Sequence, residues 1–122
     1  MPLKNKNNLH FGTKGELIAK KLLQKNGYKI IKTNFRCRFG EIDIIAKKNK
    51  ILFFVEVKTR KSFKFGYPQE AVNLRKRNKI KNLGELYLKQ NNLKNIKMKI
   101  LVVALILKDN KINYSKIIPV ET

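Results

Sequence analysis

A chain of 122 residues, 43% of them hydrophobic, can fill one core and is short for two. Its 29 Lys and Arg against 8 Asp and Glu leave a formal net charge of +21, which calls for a polyanionic partner, nucleic acid first and an anionic membrane surface second. One cysteine, Cys37, excludes an internal disulfide and suits a reducing cytosol, and a sole histidine, His10, argues against a Cys/His zinc cluster or a Ser-His-Asp triad.

The N-terminal residues Met1 to Asn8 hold no apolar stretch of the sort that opens a secretory leader. Residues 1–10 are therefore expected as a mobile polar arm before a single domain over residues 11–122. Thr13 with Glu16 has the form of a capping box and Gly27 supplies a stop, predicting a helix from about Lys14 to Asn26 with Leu17, Ile18, Leu22 and Leu23 toward the core. Three strands follow, Tyr28 to Thr33, Gly40 to Lys47 and Lys50 to Thr59, because β-branched and aromatic residues dominate each. After a loop with Gly66 and Pro68, Asn73 caps a second helix running to about Asn91, with Ile80, Leu83, Gly84 and Tyr87 on one stripe. Lys99 to Leu107 reads as a buried strand, its apolar stretch too short to cross a bilayer, and Ile112 to Val120 as an edge strand limited by Pro119. The order α-β-β-β-α-β, with a last strand, predicts an α/β sandwich whose mixed sheet carries helices on its faces.

The acids are placed unevenly. Glu16, Glu41, Asp43 and Glu56, half of the eight, lie in the first half of the chain. Most basic residues are Lys, and Asn and Ile are abundant too, a bias that AT-rich coding produces without making a site; such drift does not explain where the acids sit. Side chains alternate along a strand, so Leu52, Phe54, Glu56 and Lys58 share one face while Val55 and Val57 occupy the other. A strand apolar on both faces is covered, and a covered carboxylate needs a partner. With a turn at Lys48-Asn49 or Lys47 to Lys50, Ala46 pairs with Ile51, Glu41 faces Glu56 and Asp43 faces Phe54, leaving Asp43 and Glu56 diagonal neighbours on one side. Gathered carboxylates repel unless a cation joins them, and oxygen ligands without Cys or His select Mg²⁺ or Mn²⁺.

Gly40-Glu41-Ile42-Asp43 followed by Val55-Glu56-Val57-Lys58 resembles the PD-(D/E)XK nuclease signature. Together with Gly15-Glu16, the Phe54 to Arg60 run, Gly66, Glu70-Ala71-Val72 and Lys76, these motifs look like the YraN family of small bacterial proteins, which is similar to archaeal Holliday-junction resolvases. The likeness covers roughly Phe11 to Leu88. Many relatives carry an Asp in the strand matched by Ile100 to Leu107, where this chain is wholly apolar, so no role transfers to that segment. The resemblance implies a restriction-endonuclease-like fold and phosphodiester hydrolysis. By it, Asp43 and Glu56 ligate Mg²⁺ or Mn²⁺, the Val57 carbonyl is a third ligand, Lys58 orients water and steadies developing charge, and Glu16 is the helical glutamate completing the site.

Each role has a rival. Glu16 is equally the capping-box residue, Glu41 an acidic neighbour of the turn, and Glu56 with Lys58 a surface ion pair. Arg36, Arg38, Arg60, Lys61, Arg75, Lys76, Arg77 and Lys79 are the candidates to track phosphates, against a merely solvated face. Phe63, Phe65 and Tyr67 alternate in the loop after the motif strand, where stacking on unpaired bases competes with core packing. The expected partner is nucleic acid, DNA ahead of RNA, with no membrane association and with homodimer pairing through a sheet edge left open. The reading set against a nuclease is a basic DNA- or RNA-binding module that keeps the fold without catalysis.

Overall fold

The computed structural model describes the backbone of residues 3–120 and the side chains of residues 11–120. Helix α1 (Leu3–Lys25) leads into β1 (Lys29–Cys37), β2 (Gly40–Lys48) and β3 (Ile51–Arg60). A 3₁₀ turn (Pro68–Ala71) and α2 (Leu74–Gln90) then carry the chain to β4 (Lys97–Lys108) and β5 (Lys111–Val120). The five strands lie side by side in chain order, antiparallel throughout except for β3 and β4. That parallel pair is where α2 serves as the crossover. The α-β-β-β-α-β order around a mixed sheet is the restriction-endonuclease-like core read from the sequence, extended by β5.

Strand alternation divides the interior in two. Ile44, Ala46, Phe53, Val55, Leu101, Val103 and Leu105 pack with Ala19 and Leu23 of α1. On the other face, Ile45, Leu52, Phe54 and Ile100 pack with Ile80, Leu83 and Tyr87 of α2. Because both faces of β4 are covered, its residues from Ile100 to Leu107 are all buried, which is why that stretch is continuously apolar. Pro119 falls on β5 at the sheet edge, where a missing N–H costs no interior ladder bond.

Four expectations are corrected. Helix α1 begins before Lys14, so Thr13 lies inside it and no capping box forms with Glu16. Its core residues are Ala19 and Leu23, with Ile18 and Leu22 beside them, whereas Leu17 is 53% exposed. Strand β1 continues past Thr33 to Cys37 because it pairs along β2, with Asn34 in the left-handed region at φ 53°. The β2–β3 turn is Asn49-Lys50, with φ of 52° and 65°, the backbone of a two-residue hairpin whose twist matches the strands. Lys48 thus pairs with Ile51, and the register differs by two residues from the expected one. Since two is the period of a strand, β3 keeps its faces while its partners change. The backbone of residues 3–10, where a polar arm was expected, belongs to α1, and the side chains of residues 1–10 lie outside those described.

Candidate active site

The β2–β3 ladder runs from Lys48 and Ile51 to Ile44 and Val55 and stops there, although β2 stays paired with β1 as far as Gly40. Ile42 and Ile45 both join the α2-side core, so strict alternation is lost around Asp43. The two strands part at this point. Val57 N–H, which a continuing ladder would pair with backbone, donates instead to Asp43 Oδ2 at 2.8 Å. Continued one step past the last paired residues, the register sets Asp43 level with Glu56, not on the diagonal, and the Glu56 charge acts on it.

Glu56 is the buried charged residue of the described core, 7% exposed, on the same face as Leu52 and Phe54. Its Oε2 lies 3.4 Å from Lys76 Nζ. Lys76 is in the first turn of α2, and its backbone N–H donates to Asn73 Oδ1 at 2.9 Å, so the cap that starts the helix also anchors the lysine that reaches Glu56. Burial first, then the Glu56 carboxylate, lifts the pKa of Asp43 from 3.8 to about 7, against the opposing pull of the Val57 hydrogen bond.

Helix α1 brings Glu16 to the same place. Gly15 is buried against Thr59, and a Cβ there would collide with Thr59 Oγ1, so the glycine allows α1 to lie close over β3 just beyond Lys58. The pKa of Glu16 is raised by burial and by Asp43, and lowered by the Asn34 side chain and Arg36. Asn34 itself falls opposite Asp43, between the pairs Thr33–Ile44 and Phe35–Ile42. Lys58 is half-buried on the Glu56 face, opposite Ala104. Glu41 is not brought to Glu56: it faces Arg36 across β1 and β2 and holds its guanidinium at 2.9 Å on the exposed edge.

The sequence profile of Uncharacterised protein family UPF0102 matches residues 15–105, from within α1 to within β4. The chain belongs to UPF0102. Over 115 residues it is 39% identical to a UPF0102 protein of Caldanaerobacter subterraneus subsp. tengcongensis, the match covering 94% of each chain. A UPF0102 protein of Clostridioides difficile is 43% identical over 108 residues, 88% of this chain and 95% of the relative. One from Caldicellulosiruptor bescii reaches 57% over 77 residues, covering 63% of this chain and 65% of that protein.

In this UPF0102 chain the eight basic residues singled out by sequence are spread over the end of β1 and the turn after it, the end of β3 and the residue after it, and the first turns of α2. Arg36 is engaged by Glu41 and Lys76 by Glu56, while Arg38 lies over Phe39 at 5.3 Å and Lys61 over Phe11 at 5.3 Å. Arg60 ends β3, and Arg75, Arg77 and Lys79 follow the α2 cap, Lys79 beside Gly40 at the start of β2. One member of the site, Asn34, escaped sequence reading, since nothing local marks it; Lys76 was singled out as a phosphate contact, and only the docking of α2 shows it paired with Glu56. Among the described residues no three His, Cys, Asp or Glu side chains converge as a ligand group. Asp43 and Glu56 alone still fit a hard divalent cation, which is ordinarily held by one or two carboxylates with water and substrate phosphate. Burial and then the Glu56 charge raise the pKa of Asp43, and a cation relieves the second of these. Among the described residues no helix is long and apolar enough to cross a membrane.

Proposed function

We propose that this protein is a divalent-metal-dependent phosphodiesterase acting on nucleic acid, DNA before RNA. One observation carries the reading: Asp43, bonded to Val57 N–H where β2 leaves β3, stands against the buried Glu56, with Lys58 next on that face. Asp43 and Glu56 would hold Mg²⁺ or Mn²⁺, with the Val57 carbonyl as the main-chain ligand that the family resemblance implies. When bound, the cation polarises a phosphodiester and acidifies an attacking water. Lys58 supplies an ammonium to the phosphate oxygens and offsets the charge that builds on them during attack. Glu16, with its proton affinity raised, is suited to hold or accept a proton from water at the rim. The surrounding cations hold the strand by its phosphates.

The test is cleavage of labelled linear, flapped and four-way DNA with Mg²⁺ or with EDTA. The expected result is metal-dependent cutting that is lost in Glu56→Ala and Lys58→Ala; cutting unchanged in both variants sinks the proposal. A second reading, a binding module without catalysis, draws on the Lys76 ion pair, which neutralises Glu56 as a structural pair would. It predicts DNA affinity with no cutting under any metal, and affinity that survives Asp43→Asn.

A further inference from the structure

Residues 61–67 leave β3 directly after Arg60 and hold three rings outside the core: Phe63 is 44% exposed, Phe65 77% and Tyr67 50%. The segment is nevertheless held in one shape. Phe63 packs edge-on against Tyr67 and against Tyr114 of β5, each with ring centroids 5.4 Å apart, and Tyr67 meets Tyr114 at 5.4 Å in a tilted pair. Tyr114 Oη accepts a hydrogen bond from Gln69 Nε2 at 2.7 Å. Gly66, at φ 92°, turns the chain, and its missing Cβ leaves room for the Glu70 carboxylate, which accepts the Tyr67 N–H. Phe65 stands at the outer point of this ledge with Lys64 Nζ 5.6 Å from its ring centroid.

The ledge shares a face with the candidate site. Arg60 pairs with Ile106 and Ile106 with Tyr114, and paired residues on neighbouring strands project to the same side. Tyr114 is therefore on the side of Glu56, Lys58 and Arg60. Four residues of strand set Arg60 roughly 13 Å beyond Glu56. Within a duplex the bases cover one another and offer the grooves only their edges, so a protein ring meets a base face where the strand is unpaired.

We propose that the Phe63, Phe65 and Tyr67 ledge stacks on unpaired bases of a strand whose phosphates pass Lys58 and Arg60, so that the substrate carries single-stranded nucleotides beside the phosphate to be cut. This rests on the nucleic-acid reading above. The experiment is fluorescence anisotropy in EDTA at one fixed salt concentration, using a short labelled single-stranded DNA and the corresponding duplex, with wild type, Phe65→Ala and Phe65→Trp. Phe65→Ala weakens single-strand binding about tenfold and leaves duplex binding within about twofold, and Phe65→Trp restores the loss. Phe65 is exposed, so both variants fold, which circular dichroism verifies. Equal losses on both DNAs, or no loss on the single strand, overturn the ledge and leave the nucleic-acid reading standing. Wild type binding neither DNA overturns both.

Discussion

Asp43 does two jobs with one carboxylate: it replaces a ladder acceptor for Val57 N–H and it crowds Glu56. Its pKa is raised from 3.8 to about 7, so between those values the folded chain holds a proton that the unfolded chain has released. Stability from this group is therefore present at low pH and lost as pH rises toward 7. In the metal-free protein, Asp43→Asn is expected to raise Tm at pH 8 relative to wild type and to leave it little changed at pH 4.5. Scanning calorimetry at the two pH values checks this, and an equal effect at both counts against the assignment. Mg²⁺ is expected to raise the wild-type Tm more at pH 8 than at pH 5, since the cation competes with the proton, and to lose that effect in Asp43→Asn. Lys76→Ala strips Glu56 of its partner and is expected to cost about 1–3 kcal/mol in urea unfolding, because a buried carboxylate is left uncompensated. Lys58, which joins no ion pair among the described residues, carries no such debt. Lys58→Ala is expected to alter stability by no more than about 0.5 kcal/mol while removing activity.

At the scale of elements, the site depends on how closely α1 lies over β3. Gly15→Ala forces its Cβ onto Thr59 Oγ1 and is expected to destabilise by about 1–3 kcal/mol, with part of the loss recovered in the Gly15→Ala, Thr59→Ala double variant. Denaturant titration of the four proteins reads the coupling; strict additivity would show that the approach is not tight. The hairpin offers the opposite sign. Lys50 sits at φ 65°, where a side chain is strained, and Lys50→Gly completes an Asn-Gly turn, so a gain of about 0.5–1 kcal/mol is expected from thermal unfolding. The same turn explains why the register missed by two residues. Asn49 was visible as a turn former, but nothing in a run of lysines told which two residues would take left-handed φ.

For the whole molecule, the net charge of +21 acts over distances longer than any single contact. Under the proposed function, DNA affinity falls steeply with salt, roughly 10²–10³-fold between 50 and 200 mM for about five phosphate contacts, and Asp43→Asn leaves that slope unchanged. Anisotropy titrations across salt measure it; a flat dependence would remove phosphate contact as the basis of binding. Two of the eight singled-out cations are already engaged by carboxylates of the fold, Arg36 by Glu41 and Lys76 by Glu56, so the slope reports fewer contacts than composition alone suggests.

The α-β-β-β-α-β order, the two-sided burial of β3 and β4, the Asn73 cap and the stripe of Ile80, Leu83, Gly84 and Tyr87 on α2 were all legible in the chain, because periodicity and end signals are local properties. So was the shared face of Leu52, Phe54 and Glu56, since a slip of two residues preserves the faces of a strand, although that slip brought Asp43 level with Glu56 where Glu41 was expected to face it. Tertiary structure alone decided the rest. It moved the start of α1 ahead of Thr13 and so released Glu16 from a cap, opened β2 from β3 at Asp43, sent Glu41 to Arg36, and laid α2 so that Lys76 reaches Glu56. These outcomes turn on which surfaces pack and which strands part, and such contacts join residues far apart in sequence. No local pattern encodes them.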